Sequence, residues 1–119
     1  IRGVLLRTEP LKCLLASRDP LPRPEIAPGD GTALDLSHAR TLVRLEGPAA
    51  PDLMARLVAL DLRPGAFPDG RVATAPIHHV AVTIHARAGG LDLYLPRSFA
   101  LALWEHMAET GAQFGLEIG

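Results

Sequence analysis

The chain has 119 residues, with 12 basic and 13 acidic side chains and a formal net charge of −1. Hydrophobic residues make up 48% of the sequence but aromatic residues only 4%, so the core is aliphatic and platforms for base stacking are missing. The two charge signs are interspersed, without the basic patch that nucleic acid or anionic lipid requires. A single domain is predicted, with neither nucleic acid nor a membrane as partner.

The sequence contains a single cysteine, Cys13, so an intramolecular disulfide is excluded. Its strand-like surroundings predict a small buried side chain rather than a reactive thiol. The apolar runs are far shorter than the roughly 20 residues that cross a bilayer. Together these features predict a cytoplasmic protein.

Two segments precede the regular part of the sequence. Residues 1–18 form an N-terminal strand region, in which Leu11, Cys13 and Leu15 alternate with other side chains. Residues 19–32 are predicted to be an extended loop because prolines and glycines are too dense there for a helix or a central strand. These breakers are Pro20, Pro22, Pro24, Pro28, Gly29 and Gly31.

The core covers residues 33–119 and shows clear periodicity. The predicted elements, in chain order, are a strand over 41–46, an amphipathic helix over 49–60, one long strand over 71–87 bent or interrupted at Pro76, a strand over 91–96, a helix from Ser98 as N-cap to about Thr110 closed by Gly111, and a strand over 114–118. This β-α-β-β-α-β order predicts an α+β fold with a ferredoxin-like unit, two helices packing on one face of an antiparallel sheet.

The candidate chemical groups do not predict a catalytic centre. His79 and His85 are predicted to lie roughly 20 Å apart on one strand, and His78 to face away from His79, so the histidines do not converge on a metal. Ser37 and His38 are neighbours in sequence and face apart on a strand, and no G-x-S-x-G motif is present. A local hydrogen bond from Ser37 to backbone is favoured.

Two features exceed what a lone domain needs. Phe99 and Leu101 widen the apolar stripe of the second predicted helix beyond what packing on one sheet requires. The Pro-rich loop has no core of its own and can lie along another chain. Both features indicate a partner protein.

Three segments carry a resemblance to a known family. They read ALDLSHARTLVRLEGPAA (33–50), ALDLRPGAFPDGRVATAPIHHVAVTIH (59–85) and DLYLPRSFALALWEHM (92–107). Together they resemble the gamma subunit family of heterotetrameric sarcosine oxidase. That family is in turn similar to the folate-binding fold of aminomethyltransferase, whose D-x-S-H segment is echoed by Asp35, Ser37 and His38.

The resemblance implies a non-catalytic subunit of a flavin-dependent complex. Such complexes demethylate sarcosine oxidatively to glycine, produce hydrogen peroxide and deliver the one-carbon unit to tetrahydrofolate or as formaldehyde. FAD, FMN, NAD and folate are expected on partner subunits and no cofactor on this chain. The implied partners are alpha and beta subunits and a small delta subunit. Where aminomethyltransferase has a Gly-Gly-x-x-Asp-Asp segment that supplies a catalytic carboxylate, this sequence reads Ile77-His78-His79, so methylene transfer by this chain is not expected.

Seven residues are therefore candidates for a subunit interface rather than for catalysis. Arg40 and Arg97 can bind backbone carbonyls or a carboxylate of another subunit. The full set is Ser37, His38, Arg40, Arg97, Ser98, Phe99 and Leu101. Three alternatives remain open: the equivalent subunit of an N-methyl amino acid dehydrogenase, a free-standing folate-binding one-carbon protein, and a His-dependent metal protein.

Overall fold

The computed structural model describes residues 4–17 and 25–117. At the N-terminal end, β1 (Val4–Glu9) and β2 (Lys12–Ala16) form an antiparallel hairpin. The sequence predicts a single strand here, whereas the structure has two, joined by a turn at Pro10 and Leu11 that contains no glycine. The predicted loop over 19–32 is free of helix and strand from residue 25 onward, and its first part lies outside the described residues.

The hairpin exposes one of its two faces. Leu5 pairs with Leu15, and both are exposed, as is Cys13 on the same face. Leu6 lies on the opposite face and is buried. The prediction that Cys13 is buried is therefore wrong, because the strand that carries it belongs to a separate two-stranded sheet.

The main sheet contains β3 (Arg40–Leu45), β4 (Val72–Ile77), β5 (Val80–Arg87) and β6 (Gly90–Pro96), all antiparallel to their neighbours. Its strand order is β3-β6-β5-β4, so β3 and β4 are the two edge strands. The predicted strands over 41–46 and 91–96 are confirmed within one residue at each end.

The predicted long strand over 71–87 is in fact two strands, β4 and β5. They are joined at His78 and His79, whose φ angles are +47° and +66°. Two successive residues with positive φ are the geometry of a tight hairpin turn, usually built from Asn and Gly. The sequence gives no such signal, and Pro76 lies inside β4 rather than at the break.

The helices are α1 (Ala50–Ala55) and α2 (Ala100–Gly111), the second preceded by a 3-10 turn at Arg97–Phe99. The first helix is shorter than predicted, although Val58 still donates a backbone hydrogen bond to the Met54 carbonyl.

The predicted caps of the second helix are wrong. Ser98 lies in the 3-10 turn, so Phe99 takes the N-cap position. Gly111 has helical φ, and the left-handed residue is Gly115. The predicted strand over 114–118 is absent from 114–117, because a further 3-10 turn carries the chain to Phe114.

The α+β class predicted from the sequence is confirmed, but the ferredoxin-like unit is not. Between residues 40 and 114 the order is β-α-β-β-β-α, because the fourth strand of the sheet comes from the β4–β5 hairpin rather than from the C-terminal segment. Both helices contribute to one apolar core over one face of the sheet, through Met54 of α1 and Leu103 and Met107 of α2.

The two faces of the sheet differ in chemistry. The face toward the helices is aliphatic, with Val82, Ile84, Leu93 and Leu95 fully buried. The opposite face carries polar side chains that are also buried, namely Thr83, His85 and Asp92. Burying a polar group costs free energy unless the group is hydrogen-bonded, so the side chains on this second face require partners.

Candidate subunit interface

The structure brings the predicted interface residues together at one end of the sheet. Ser37 and His38 come directly before β3, and Arg97 comes directly after β6. The backbone N–H of Arg97 donates to the Ala39 carbonyl at 2.9 Å, and its Nη1 approaches the His38 carbonyl at 3.5 Å. The segments that carry D-x-S-H and P-R-S-F are therefore in contact through Arg97.

The D-x-S-H motif has a local structural role. The backbone N–H of Ser37 donates to Asp35 Oδ1 at 3.0 Å, and the Ser37 hydroxyl hydrogen-bonds to the same oxygen. These bonds lower the pKa of the Asp35 carboxyl. The pairing fixes the turn that leads into β3. The partner of the Ser37 hydroxyl is thus a carboxylate and not the backbone group that was predicted, and Ser37 and His38 lie in a turn rather than on a strand.

The side chain of Arg40 has no partner among the residues that the structure describes. It is exposed, and it forms no hydrogen bond or ion pair within residues 4–17 and 25–117. An exposed arginine with its donors free can bind a carboxylate bidentately. This end of the sheet therefore presents an available cation.

The apolar surface predicted on α2 is present in the structure. Phe99 is 51% exposed and Leu101 70% exposed, while Leu103 and Met107 face the core. Trp104 is also more than one-third exposed. Large apolar side chains clustered at the surface are typical of protein contacts.

A groove of about 660 Å³ lies between β3 and α2. Its walls include Val43 and Leu45 from β3, Leu53 from α1, and Trp104, Met107 and Phe114 from α2 and the turn that follows. Val43 and Leu45 are only half-buried, because the helix does not cover the β3 edge. The core face of the sheet is therefore open along β3.

The polar face behind β3 is held by a buried carboxylate. Asp92 accepts from Arg44 Nη1 at 2.9 Å and from Arg87 Nε at 2.7 Å, and its side chain is 3% exposed. Burial alone raises the pKa of Asp92, but the hydrogen bonds from Arg87 and Arg44 outweigh it and hold this pKa below its usual value. The cluster ties β3, β5 and β6 together.

Arg44 needs a glycine to reach this position. Its Nη2 donates to the carbonyls of Arg87 at 2.9 Å and Ala88 at 3.2 Å. A Cβ on Gly90 would lie 2.7 Å from that nitrogen and 3.0 Å from the Leu45 carbonyl oxygen. Gly90 therefore provides close approach, whereas the positive φ of this turn belongs to Ala88 and Gly89.

Two histidines that were predicted to lie on one long strand, His78 and His79, lie in the turn between β4 and β5. His78 does not lie on a strand but reaches α2, where its Nε2 is 2.8 Å from Nε2 of His106. His85 is buried beside Asp92 on the neighbouring strand, and its Nδ1 has no hydrogen-bond partner among the described residues. Within those residues no three His, Cys, Asp or Glu side chains converge as metal ligands.

Comparison with known proteins connects this fold to two groups. No protein family model matches the chain. The aminomethyltransferase of Geobacillus thermodenitrificans (strain NG80-2) is 34% identical over 95 residues, which are 77% of this chain and 26% of that protein. The aminomethyltransferase of Flavobacterium psychrophilum is 30% identical over 86 residues, 70% of this chain and 24% of that protein. The chain spans about a quarter of the length of these relatives.

Among solved structures, a chain of heterotetrameric sarcosine oxidase from Corynebacterium sp. U-96, in complex with pyrrole 2-carboxylate, matches with a TM-score of 0.78 and 22% identity. The match covers 98% of this chain and 63% of that chain. The chain is thus an α+β protein with the fold of a chain from a multi-subunit oxidase. More particularly, the resemblance to sarcosine oxidase, and the relationship to aminomethyltransferase, are both confirmed.

No helix within residues 4–17 and 25–117 is long and apolar enough to cross a membrane.

Proposed function

We propose that this chain is a non-catalytic subunit of a sarcosine oxidase-type complex, in the position of its gamma subunit. The observation that carries the proposal is the structural match to a chain of a heterotetrameric enzyme over 98% of this chain. The exposed Phe99 and Leu101, the open groove beside β3, and Arg40, which is unpaired within the described residues, support it, because they give the chain surface that a partner would cover.

In this proposal the chemistry belongs to the partners. FAD, FMN, NAD and folate are bound by the alpha and beta subunits, a delta subunit completes the complex in the cytoplasm, and the chain described here binds none of the four cofactors. The interface residues are Ser37, His38, Arg40, Arg97, Ser98, Phe99 and Leu101. Replacing Arg40 or Arg97 by alanine is then expected to weaken assembly and to leave turnover of the assembled complex nearly unchanged.

The test is co-expression with the flavoprotein subunits of a sarcosine oxidase-type enzyme from the same organism. Size-exclusion chromatography with absorbance at flavin wavelengths should show this chain in a yellow fraction that oxidises sarcosine. Elution of a folded, colourless chain alone would contradict the proposal. The same fraction, assayed with oxygen and with an artificial electron acceptor, distinguishes an oxidase from the related N-methyl amino acid dehydrogenase.

A second candidate is a folate-binding one-carbon protein that acts alone. The 34% identity to an aminomethyltransferase favours it. Titration of the isolated chain with tetrahydrofolate in a calorimeter tests this candidate directly. Saturable binding at micromolar concentration would support it, and heat no greater than that of dilution would exclude it.

A further inference from the structure

The main sheet has two edge strands, and their backbone groups can be assigned from the register. The Arg97 N–H donates to the Ala39 carbonyl, and these residues continue the register that pairs Arg40 with Pro96. In an antiparallel pair, alternate residues bond to the partner and the others point away. Residues 41, 43 and 45 therefore bond to β6, and Arg40, Leu42 and Arg44 point their N–H and C=O groups outward.

The outward groups of β3 have no partner in the described part of the chain. No backbone hydrogen bond outside the sheet reaches Arg40, Leu42 or Arg44. Leu42 is 51% exposed. The strand is six residues long and contains neither proline nor a bulge, which are two of the means by which proteins block an edge. Such an edge is a ready template for another strand.

The β4 edge is protected in two ways, by a proline and by a neighbouring strand. The Ala86 N–H donates to the Arg71 carbonyl, so residues 73, 75 and 77 bond to β5 and residues 72, 74 and 76 point outward. Pro76 occupies one of these outward positions and has no N–H to offer. The strand β1 also lies against β4. One sheet thus has one closed edge and one open edge.

A second copy of this chain fits the open edge poorly. In the antiparallel register that overlaps all three outward residues, Leu42 would face Leu42 of the other copy. Arg40 of each strand would then lie opposite Arg44 of the other. Like charges directly opposite each other destabilise an antiparallel pair.

The groove and Arg40 favour a partner segment with apolar and acidic side chains over a second copy of this chain. Side chains alternate across a strand, so Val43 and Leu45 face the groove while Arg40 faces the opposite side of the sheet. An added strand would present apolar side chains to the groove at every second position. On its other face, a carboxylate would pair with Arg40, which has no ion pair within the described residues.

We infer that β3 is a docking edge for an extended segment of a partner subunit, which extends the sheet as a fifth strand. The segment is apolar at alternate positions and carries a carboxylate that meets Arg40. This inference rests on the proposed function, since it assumes a partner chain, and it adds the surface and the mode of contact. Main-chain hydrogen bonds to Arg40, Leu42 and Arg44 supply affinity, and the groove supplies specificity.

The test compares one substitution on the two edges. Leu42→Pro removes an outward N–H from β3 and leaves the β6 ladder intact, because the β6 bonds come from residues 41, 43 and 45. Thr74→Pro is the matched control, since it removes an outward N–H from β4. Each variant is co-expressed with the flavoprotein subunits, and comigration is measured after circular dichroism has confirmed a folded chain.

The expected result is at least a tenfold loss of association for Leu42→Pro and an unchanged association for Thr74→Pro. Equal assembly of wild type and Leu42→Pro would overturn the docking edge and leave the subunit proposal intact. If the wild-type chain itself does not comigrate, the proposed function fails instead. A concentration-dependent dimer of the isolated wild-type chain that Leu42→Pro abolishes would overturn the inference in favour of a second copy.

Amide hydrogen exchange gives a second readout that does not depend on a proline variant. In the isolated chain, the N–H groups of Arg40, Leu42 and Arg44 should exchange faster than those of Thr41 and Val43. In the complex, the outward groups should become protected by at least tenfold. Unchanged exchange at all three positions on assembly would contradict strand addition.

Discussion

The two edge strands of the main sheet differ in how well they are protected from pairing with another strand. The β4 edge has Pro76 at an outward position and β1 lying beside it. The β3 edge has backbone groups with no partner in residues 4–17 and 25–117, an exposed Leu42 and an open groove along its core face. The difference shows that a local feature, a proline in register, closes one edge, whereas nothing in the described chain closes the other.

The largest expected effect comes from the cluster that anchors the open edge. Asp92→Ala leaves Arg44 and Arg87 without their buried carboxylate, and we expect a loss of about 3 kcal/mol in the free energy of unfolding. Urea denaturation measures the loss, and hydrogen exchange should show loosening of β3 before β4. A loss below about 1 kcal/mol would mean that the cluster does not hold the open edge.

The next effect tests the cover of the closed edge. Leu6 is 1% exposed on β1, the strand beside β4. Leu6→Ala should cost about 2–3 kcal/mol through lost burial and an unfilled cavity. Hydrogen exchange at the outward amides of Val72 and Thr74 should rise, while that of β3 should not. Leu5→Ala is the control, since Leu5 is two-thirds exposed on the other face of the hairpin.

Acid should destabilise the polar face of the sheet through His85. Burial lowers the pKa of this side chain, a shift that the charges of Arg87 and Arg44 add to. The charges of Asp92 and Asp69 act in the opposite direction without reversing the net shift. Just below pH 6.5, the ordinary pKa of histidine, His85 is therefore protonated in the unfolded chain and still neutral in the folded chain.

The free energy of unfolding should accordingly fall as the pH is lowered from about 7 to 5, by less than either buried substitution costs. Urea midpoints across this range measure the slope, and His85→Gln should flatten it. An unchanged slope in His85→Gln would show that another group titrates.

Asp92 contributes in a lower pH range. Its lowered pKa stabilises the fold above about pH 4, and this stabilisation is lost as the pH falls through the pKa of the folded state.

The smallest effect comes from reopening the closed edge. Pro76→Ala adds one outward N–H to β4, and we expect a change of about 0.5–1 kcal/mol, mainly through the unfolded state. Comigration with the flavoprotein subunits should be unaffected. If Pro76→Ala also recruits these subunits to β4, the difference between the edges depends on this proline alone and not on the groove or on Arg40.

The sequence predicted those elements whose pattern is local. The alternation in TLVRLEG and LDLYLP located β3 and β6, because one buried face with glycine or proline at the ends is a direct signal. The turn at His78 and His79 was missed because the conformation is imposed by the hairpin and by the contact of His78 with His106, not by residue preference. The length of the predicted strand over 71–87 was the available warning, since most strands have about 5–6 residues.

Part of the candidate surface is likewise visible from local signals in the sequence. The sequence identified Arg40, Arg97, Phe99 and Leu101 from their motifs and from excess apolar surface, and the structure places them at one end of the sheet. It could not identify the open edge, because edge position depends on the strand order β3-β6-β5-β4. Asp92 was missed as well, since it alternates with leucines like a surface residue until Arg44 and Arg87 cover it.

The strand pairings of the sheet also differ in the length of the loop between the two strands that pair. Two tight turns join β4 to β5 and β5 to β6, so these pairings close short loops. β3 meets β6 only after the chain has passed through α1 and two other strands. Loop-closure entropy therefore weighs most heavily on β3, the strand that bears the open edge. A partner strand laid along β3 would offset that entropy at the place in the molecule where it is largest.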